Sequence, residues 1–182
     1  MLIVQNFSKC YSGTVIVSAT NLQFQTGVYW IKGENGSGKT TFLKCLTGLI
    51  PFRGTIKFDD GVDLHNDPIA FRKRVNYSEA EPLYPGFLTP KELIQFIGRT
   101  KEASVRQQDE LSSSFGINVY NEKACGACSS GMLKKLSLLL AFLGTPTVIV
   151  LDEPLITLDA EARNILLSLI NQYVQKYDTI FL

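Results

Sequence analysis

The segment Gly33–Thr41 constrains the fold and chemistry of this chain more than any other part of the sequence. It reads Gly-Glu-Asn-Gly-Ser-Gly-Lys-Thr-Thr and matches the phosphate-binding pattern G-x-x-x-x-G-K-[ST] at each fixed position. The apolar run Val28–Ile31 before it predicts a buried strand, and apolar residues at 42, 43, 46 and 49 after it predict a helix. A strand, a glycine loop and a helix start are the context that this pattern requires.

The residue types in this loop suit an anionic ligand. Gly33, Gly36 and Gly38 allow a tight turn with no side chain in the way of a phosphate, and the loop N–H groups and the helix N-terminus then point at the anion. Lys39 supplies a mobile positive charge for the β- and γ-phosphates, and Thr40 supplies a hydroxyl ligand for magnesium. The residues expected to contact the nucleotide are Gly33, Glu34, Asn35, Gly36, Ser37, Gly38, Lys39, Thr40 and Thr41. The alternative is a glycine-rich turn that binds nothing.

Two adjacent carboxylates end an apolar run in the second half of the chain. Residues 147–151 are Thr-Val-Ile-Val-Leu, and Asp152 and Glu153 follow directly. Asp152 is placed to hold magnesium, usually through water. Glu153 leaves the strand end in a different direction and is placed to polarise an attacking water. Upstream, Cys128–Met132 precede a helix-like run over 133–143.

With these parts in this order, the chain resembles the nucleotide-binding subunit of ATP-binding cassette (ABC) transporters over nearly its whole length. Gly33–Thr41 is similar to the Walker A loop, Cys128–Met132 to a degenerate Leu-Ser-Gly-Gly-Gln signature, Val148–Glu153 to Walker B with its catalytic Glu, and Leu155–Asp159 to the D-loop. A signature just upstream of Walker B is a layout particular to this family. The resemblance implies an α/β fold: a P-loop NTPase core with an N-terminal antiparallel β-subdomain and a small α-helical subdomain.

The same resemblance implies one domain over 1–182. Residues 1–79 and 129–182 would form the nucleotide-binding core with the β-subdomain, and 80–128 the helical subdomain. Local patterns agree, since short strands over 2–7, 14–17 and 22–25 predict an antiparallel sheet before the phosphate loop. Capping patterns at 67–68 and 89–92 predict two helix starts. A further helix is expected over 104–115, and a last strand over 178–182.

The resemblance also assigns residues outside the Walker segments. Tyr11 stands where the family has an aromatic residue that stacks on adenine; a partly buried surface tyrosine is the alternative. Ser129 and Gly131 match the signature, which in the family closes across a dimer on the γ-phosphate held by the other subunit, whereas positions 130 and 132 depart from it. Asp159 is expected at the dimer interface, as the D-loop Asp is in the family.

Two family residues are not found at their places. Ala80 occupies the place of the Gln that bridges the magnesium site and the membrane subunit. Of its neighbours Glu79 and Glu81, Glu81 is the first candidate to hold a metal-bound water; the alternative is that both are solvated loop acids. The switch His of the family follows the strand at 178–182, and the only histidine, His65, lies far upstream. We therefore expect a further C-terminal segment; the alternative is a minimal cassette without the switch His.

Composition restricts the classes of protein to consider. A hydrophobic content of 45% is typical of a globular protein, and a net charge of +1 implies no strong attraction to nucleic acid. No apolar stretch has the length of a membrane span, and the first residues lack the basic start of a signal peptide, so a cytosolic location is expected. The C-x-x-C pair Cys125 and Cys128 lacks the second pair of ligands that a zinc site needs. In the cytosol, the thiols are expected to be reduced.

These observations together predict the ATP-hydrolysing subunit of an ABC transporter, with Glu153 and Lys39 as catalytic residues and ATP and Mg²⁺ as cofactors. The expected partners are an integral-membrane permease, which holds the subunit at the cytoplasmic face of the cell membrane, and a second copy in an ATP-dependent dimer; nucleic acid is not expected. A groove rimmed by Leu83, Tyr84 and Phe87 would suit the permease, unless these residues pack inside the helical subdomain. The alternatives are a nucleotide-gated dimerising module with little hydrolysis and a nucleic-acid-associated ABC ATPase.

Overall fold

The computed structural model describes residues 1–182 and contains seven β-strands and six α-helices. The strands are β1 (Leu2–Tyr11), β2 (Thr14–Phe24), β3 (Gly27–Val28), β4 (Arg53–Phe58), β5 (Val75–Ser78), β6 (Val148–Leu151) and β7 (Ile180–Phe181). The helices are α1 (Lys39–Leu46), α2 (Pro68–Lys73), α3 (Pro90–Thr100), α4 (Val105–Ser114), α5 (Ser130–Ala141) and α6 (Ala160–Tyr177). None of these helices combines the length and apolar character needed to cross a bilayer.

The first sheet is antiparallel, with the order β2-β1-β4. Its strands come from the start of the chain and from the segment after α1, as the resemblance implies for the β-subdomain. The prediction of two separate strands over 14–17 and 22–25 was wrong, because the pairs Ser8–Ser18 and Gln5–Asn21 continue the ladder with β1 through the polar residues between them. β2 is an edge strand that is mostly exposed, so it tolerates these polar residues.

The second sheet is parallel, with the order β3-β7-β6-β5. Its central strand β6 is buried on both faces, as parallel strands covered by helices usually are. Val148 and Val150 face one hydrophobic cluster, which includes the antiparallel sheet, α1 and α2. Ile149 and Leu151 face a second cluster, which includes α3 to α6. The alternation of side chains along one strand therefore connects the two halves of the core.

The predicted buried strand over Val28–Ile31 was wrong in part. Only Gly27 and Val28 pair with β7, and Val28 is 62% exposed and Trp30 82% exposed. β3 lies at the edge of the sheet, with β7 as its one strand neighbour. The intervening Tyr29 and Ile31 do pack against the core.

The helix starts predicted from capping patterns are confirmed. The Asp67 side chain accepts a hydrogen bond from the Ala70 N–H at the start of α2, and Thr89 and Glu92 form a reciprocal capping box at the start of α3. α4 follows its N-cap Ser104. The helix after the phosphate loop ends at Leu46, earlier than its apolar pattern indicates, and Leu49 is 55% exposed.

Candidate nucleotide-binding site

The phosphate-loop residues line a cleft of about 340 Å³ between the parallel sheet and the start of α1. Strand β2 contributes Ile16 to its wall, and the segment after β6 contributes Glu153. The remaining lining residues all belong to the loop and the first turn of α1: Asn35, Gly36, Gly38, Lys39, Thr40 and Thr41. The structure therefore brings together most of the loop and the predicted general base.

Two glycines set the shape of this loop. A Cβ atom on Gly33 would lie 2.5 Å from the Ser37 Oγ, so a larger residue would require the Ser37 hydroxyl to rotate away or the loop to shift. Gly38 is the N-cap of α1 and has a φ of 88°, in the left-handed region that favours glycine. Its Cα also faces β2, where a Cβ would lie 3.1 Å from the Ile16 side chain.

Lys39 closes the loop on itself. Its Nζ donates hydrogen bonds of 2.8 Å to the carbonyl oxygens of Gly33 and Glu34. An ammonium has three donors, and the third has no protein partner. The positive charge is thus held at the mouth of the cleft with one donor free for an anion.

The carboxylate of Asp152 is buried beside the cleft. Asp152 is 3% exposed, its Oδ2 accepts a hydrogen bond of 3.2 Å from the Tyr77 hydroxyl, and its N–H donates to the Ser78 carbonyl at 2.9 Å. Burial, followed by the charge of Asp152, raises the pKa of the Tyr77 phenol, so the phenol stays protonated and donates. Glu153, the next residue, is exposed, with a φ of 46° that turns the chain into the cleft.

The donor set agrees with ATP and magnesium. Mg²⁺ prefers oxygen ligands, and Thr40 and Asp152 offer a hydroxyl on one wall and a carboxylate beside the other. The loop offers backbone N–H groups and the N-terminus of α1 to phosphates. No protein atom beyond Gly36 and its two chain neighbours lies within 4 Å of the place that a Cβ on Gly36 would take, which leaves room for the close approach of an anion.

The signature residues lie away from this cleft, beside the D-loop of the same chain. Ser129 is the N-cap of α5, and its Oγ accepts from the Met132 N–H at 3.3 Å. A Cβ on Gly131 would lie 3.4 Å from the Thr157 carbonyl oxygen. Asp159 caps α6 through the Ala162 N–H and pairs with Lys135 Nζ at 2.6 Å, which holds the pKa of Asp159 below its usual value.

The family follows from comparison with known proteins. A family described as ABC transporter matches residues 17–156, more than half of the chain. The chain belongs to the ABC transporter family.

Curated relatives agree with this assignment. The chain is 34% identical over 161 residues to the ABC transporter ATP-binding protein NatA of Bacillus subtilis, covering 84% of this chain and 64% of that protein. It is 31% identical over its full length to YtrB of the same organism, another ABC transporter ATP-binding protein, of which it covers 62%. The chain thus spans somewhat less than two thirds of the length of these two ABC proteins.

A solved structure of an ATP-binding subunit of an ABC transporter superposes with a TM-score of 0.89 at 25% identity, over 99% of this chain and 77% of that one. An ATP-binding cassette bound to ADP and Pi superposes with a TM-score of 0.81 at 18% identity, over 100% of this chain and 86% of that one, which supports the fold. The predicted fold class, a P-loop NTPase core with added β and α parts, is confirmed.

Tyr11, the predicted adenine-stacking residue of this ABC domain, lies at the tip of the β1–β2 hairpin and is 48% exposed. It does not line the phosphate-loop cleft. The Lys9 ammonium lies 4.5 Å from the centroid of its ring and is anchored by a 2.8 Å hydrogen bond to the Pro51 carbonyl. This cation–π contact occupies one face of the ring, so the opposite face is the one open to a base.

The place of the family Gln is occupied by an ordered backbone segment. Glu81 is exposed, and its carboxylate makes no hydrogen bond or ion pair within the chain. The carbonyls of Glu79 and Ala80 instead accept from Lys134 Nζ, at 2.6 and 3.3 Å. The structure thus brings a lysine of α5 to this segment.

Sequence reasoning missed two residues of this ABC site. Neither Tyr77 nor Lys134, which lies in the helix-like run over 133–143, was singled out from the sequence, yet both contact Asp152. A lysine on the apolar face of a helix, three residues before Ser137 and four before Leu138, is the signal that was available, because charged residues are rarely buried without partners.

The predicted groove near the helical segment is only partly formed. Leu83 is 88% exposed and Phe87 is 81% exposed, but Tyr84 packs against the hydrophobic cluster of α3 to α6.

The two thiols of the C-x-x-C pair differ in environment. Cys125 is buried in that cluster, and burial raises its pKa. Cys128 Sγ lies 3.6 Å from the Ala124 carbonyl oxygen.

Proposed function

We propose that the chain is the ATP-binding and ATP-hydrolysing part of an ABC transporter, and that it powers transport through a separate permease. The observation that carries this proposal is the cleft in which the phosphate loop and Glu153 face each other, with the buried Asp152 alongside. Two relatives with ATP-binding protein names support it. The protein would then act at the cytoplasmic face of the membrane.

Different residues of the chain have different roles in binding and hydrolysing ATP. The loop N–H groups and the free donor of Lys39 bind the β- and γ-phosphates. Thr40 and Asp152 would hold Mg²⁺, which would supply positive charge to neutralise the phosphates. Glu153 accepts a proton from the attacking water and orients it, as a general base at the rim of the cleft. Tyr77 keeps the Asp152 carboxylate in one orientation through its hydroxyl.

A second copy is needed to complete this site. Neither Ser129 nor Gly131 lines the cleft of its own chain, and Gly131 faces the Thr157 carbonyl in the D-loop of that chain. The positive N-terminal end of α5 at Ser129 suits a γ-phosphate held by another copy. We therefore include an ATP-dependent dimer in the proposal. Residues 80–128, with exposed Leu83 and Phe87, form the part that would contact the permease.

A second candidate function is a nucleotide-gated module that dimerises on ATP and turns over slowly. Ala80 favours it, because a methyl group cannot take the place of a Gln amide at the metal. Both candidate functions require ATP binding, so the rate of ATP hydrolysis distinguishes them.

The deciding experiment compares Mg²⁺-dependent ATP hydrolysis and ATP affinity in the parent chain and in Glu153→Gln. If the chain is an ATPase, the parent turns over and the variant loses about a hundredfold or more in kcat while its affinity for ATP stays near the parental value. A parent that binds ATP and dimerises without turnover supports the gated module. A parent that does not bind ATP contradicts both.

A further inference from the structure

Helix α5 is held to strand β5 by polar contacts at regular spacing. Ser137 Oγ lies 2.9 Å from Ser78 Oγ, and the Asn76 amide donates to the Ala141 carbonyl at 2.8 Å. At the other end of this row, Lys134 Nζ reaches the carbonyls of the segment that follows β5. Positions 134, 137 and 141 lie on one face of a helix, and positions 76, 78 and 80 recur at the period of a strand. The row fixes the helix along the strand.

Lys134 is the end of this row nearest the nucleotide site. It is 1% exposed and uses all three of its ammonium donors on backbone carbonyls: Glu79 at 2.6 Å, Ala80 at 3.3 Å and Asp152 at 3.0 Å. Burial lowers the pKa of Lys134, and the carboxylates of Asp152, Glu153 and Glu79 oppose that shift, so all three lie within electrostatic reach. A buried ammonium is costly unless it is hydrogen-bonded, so these three partners fix the position of the Lys134 side chain.

From this geometry we propose that Lys134 is a positioning residue. It holds the segment 79–81 and the Asp152–Glu153 end of β6 in one arrangement, and it ties both to α5, which begins at the signature residue Ser129. Ala80 stands in the place of the family Gln in this chain. Lys134 of α5 connects the segment after β5 to Asp152, the predicted metal ligand. The inference rests on the proposed function for its effect on catalysis.

The test uses graded variants and a matched control. Lys134→Met keeps the length of the side chain and removes all three donors, whereas Lys134→Gln keeps two donors without the charge. Lys101 provides the control, because its Nζ also donates to two backbone carbonyls, those of Arg72 and Val75, at 2.5 and 2.9 Å but away from the cleft. Lys101→Met should destabilise the fold and leave kcat near the parental value.

A positioning role predicts that kcat and the KM for ATP respond differently to substitution of Lys134. Lys134→Met should lower kcat by about tenfold to a hundredfold, because a small misplacement of catalytic groups has an effect of that size, while the KM for ATP changes little. Lys134→Gln should lie between that variant and the parent. Loss of kcat in Lys134→Met and Lys101→Met alike, in proportion to lost stability, would overturn the proposal. If Lys134→Met does not fold, the Lys134→Gln comparison decides.

Hydrogen exchange without nucleotide gives a readout that does not depend on hydrolysis. In Lys134→Met, the Asp152 N–H, which donates to the Ser78 carbonyl, and the Ile156 N–H, which donates to the Glu153 carbonyl, should exchange faster, while α6 stays protected. Unchanged exchange at these two amides would contradict the positioning role. A parent without ATPase activity would instead contradict the proposed function, and the exchange result would still decide the role of Lys134.

Discussion

Gly33 shows at the scale of one residue how the phosphate loop depends on the absence of a side chain. Its Cα faces Ser37, whose Oγ lies 2.5 Å from where a Cβ would stand. A contact of that length cannot persist, so either the Ser37 hydroxyl must rotate away or the loop must shift. The loop carbonyl of Gly33 also accepts from Lys39, so a shift at this position would also move the ammonium.

Gly33→Ala should therefore weaken ATP binding. Overpacking of this kind costs about 1–3 kcal/mol, and a loss of about 1.4 kcal/mol corresponds to a tenfold weaker Kd. We expect the double variant Gly33→Ala/Ser37→Ala to recover most of the affinity, because the second change removes the atom in conflict. Titration of a fluorescent ATP analogue measures both. A double variant no tighter than Gly33→Ala would show that the contact is not the cause.

The same scale explains which site residues could be predicted from the sequence. Lys39, Thr40, Asp152 and Glu153 follow patterns of local spacing, so their grouping was predicted, and the cleft brings several of them together. The contacts of Lys134 with Asp152 and Glu79, which are 18 and 55 positions away in sequence, depend on how α5 packs against β6 and β5. Periodicity places Lys134 on a helix face but does not say which carbonyls that face will meet.

At the scale of elements, local chemistry predicts helix starts better than strands. The caps at Asp67 and Thr89 are formed by residues within one turn of each other, so the sequence contains the whole interaction. The extent of β2 and the exposure of β3 depend on the neighbouring strand in the sheet. The neighbour of β3 is β7, which is distant in sequence, and the pairing of β2 with β1 is not evident from the polar residues of β2 alone, so these two predictions were wrong in part.

The N-terminus of α6 offers a test at this scale. Asp159 caps the helix and also pairs with Lys135 of α5, at 2.6 Å, and the hydrogen bond from Lys135 is the main cause of its lowered pKa. Because the folded-state pKa is lowered, the contribution to stability is present above the unfolded pKa and is lost as pH falls through the folded value. Asp159→Asn keeps a capping oxygen but removes the charge.

We expect Asp159→Asn to be less stable than the parent at pH 7, with a modest difference in free energy of unfolding because the pair is exposed. The difference should shrink as the pH falls toward 3. Urea unfolding at several pH values measures it. Lys135→Gln is the control for the ion pair, and the double variant isolates the interaction. A difference between parent and Asp159→Asn that is constant over this pH range would contradict an electrostatic origin.

At the scale of the molecule, the helical segment 80–128 has no separate core. Leu93, Leu111 and Phe115 belong to the cluster that also contains α5, α6 and the Ile149 face of β6. The opposite face of β6 belongs to the cluster of the antiparallel sheet. Because one strand is buried in both clusters, opening either half exposes apolar surface of the other, and we infer that the division into subdomains is one of function rather than of stability.

Leu111→Ala tests this inference. Leu111 is 5% exposed in α4, and truncation of a buried leucine costs about 2–5 kcal/mol. If the molecule unfolds as one unit, the free energy of opening from native-state hydrogen exchange should fall by the same amount in α4 and in β6. Val119→Ala, at a site that is 91% exposed, should change neither. A decrease confined to α4 would mean that the helical segment opens alone, which would give it the independent mobility that a permease-contacting lobe could use.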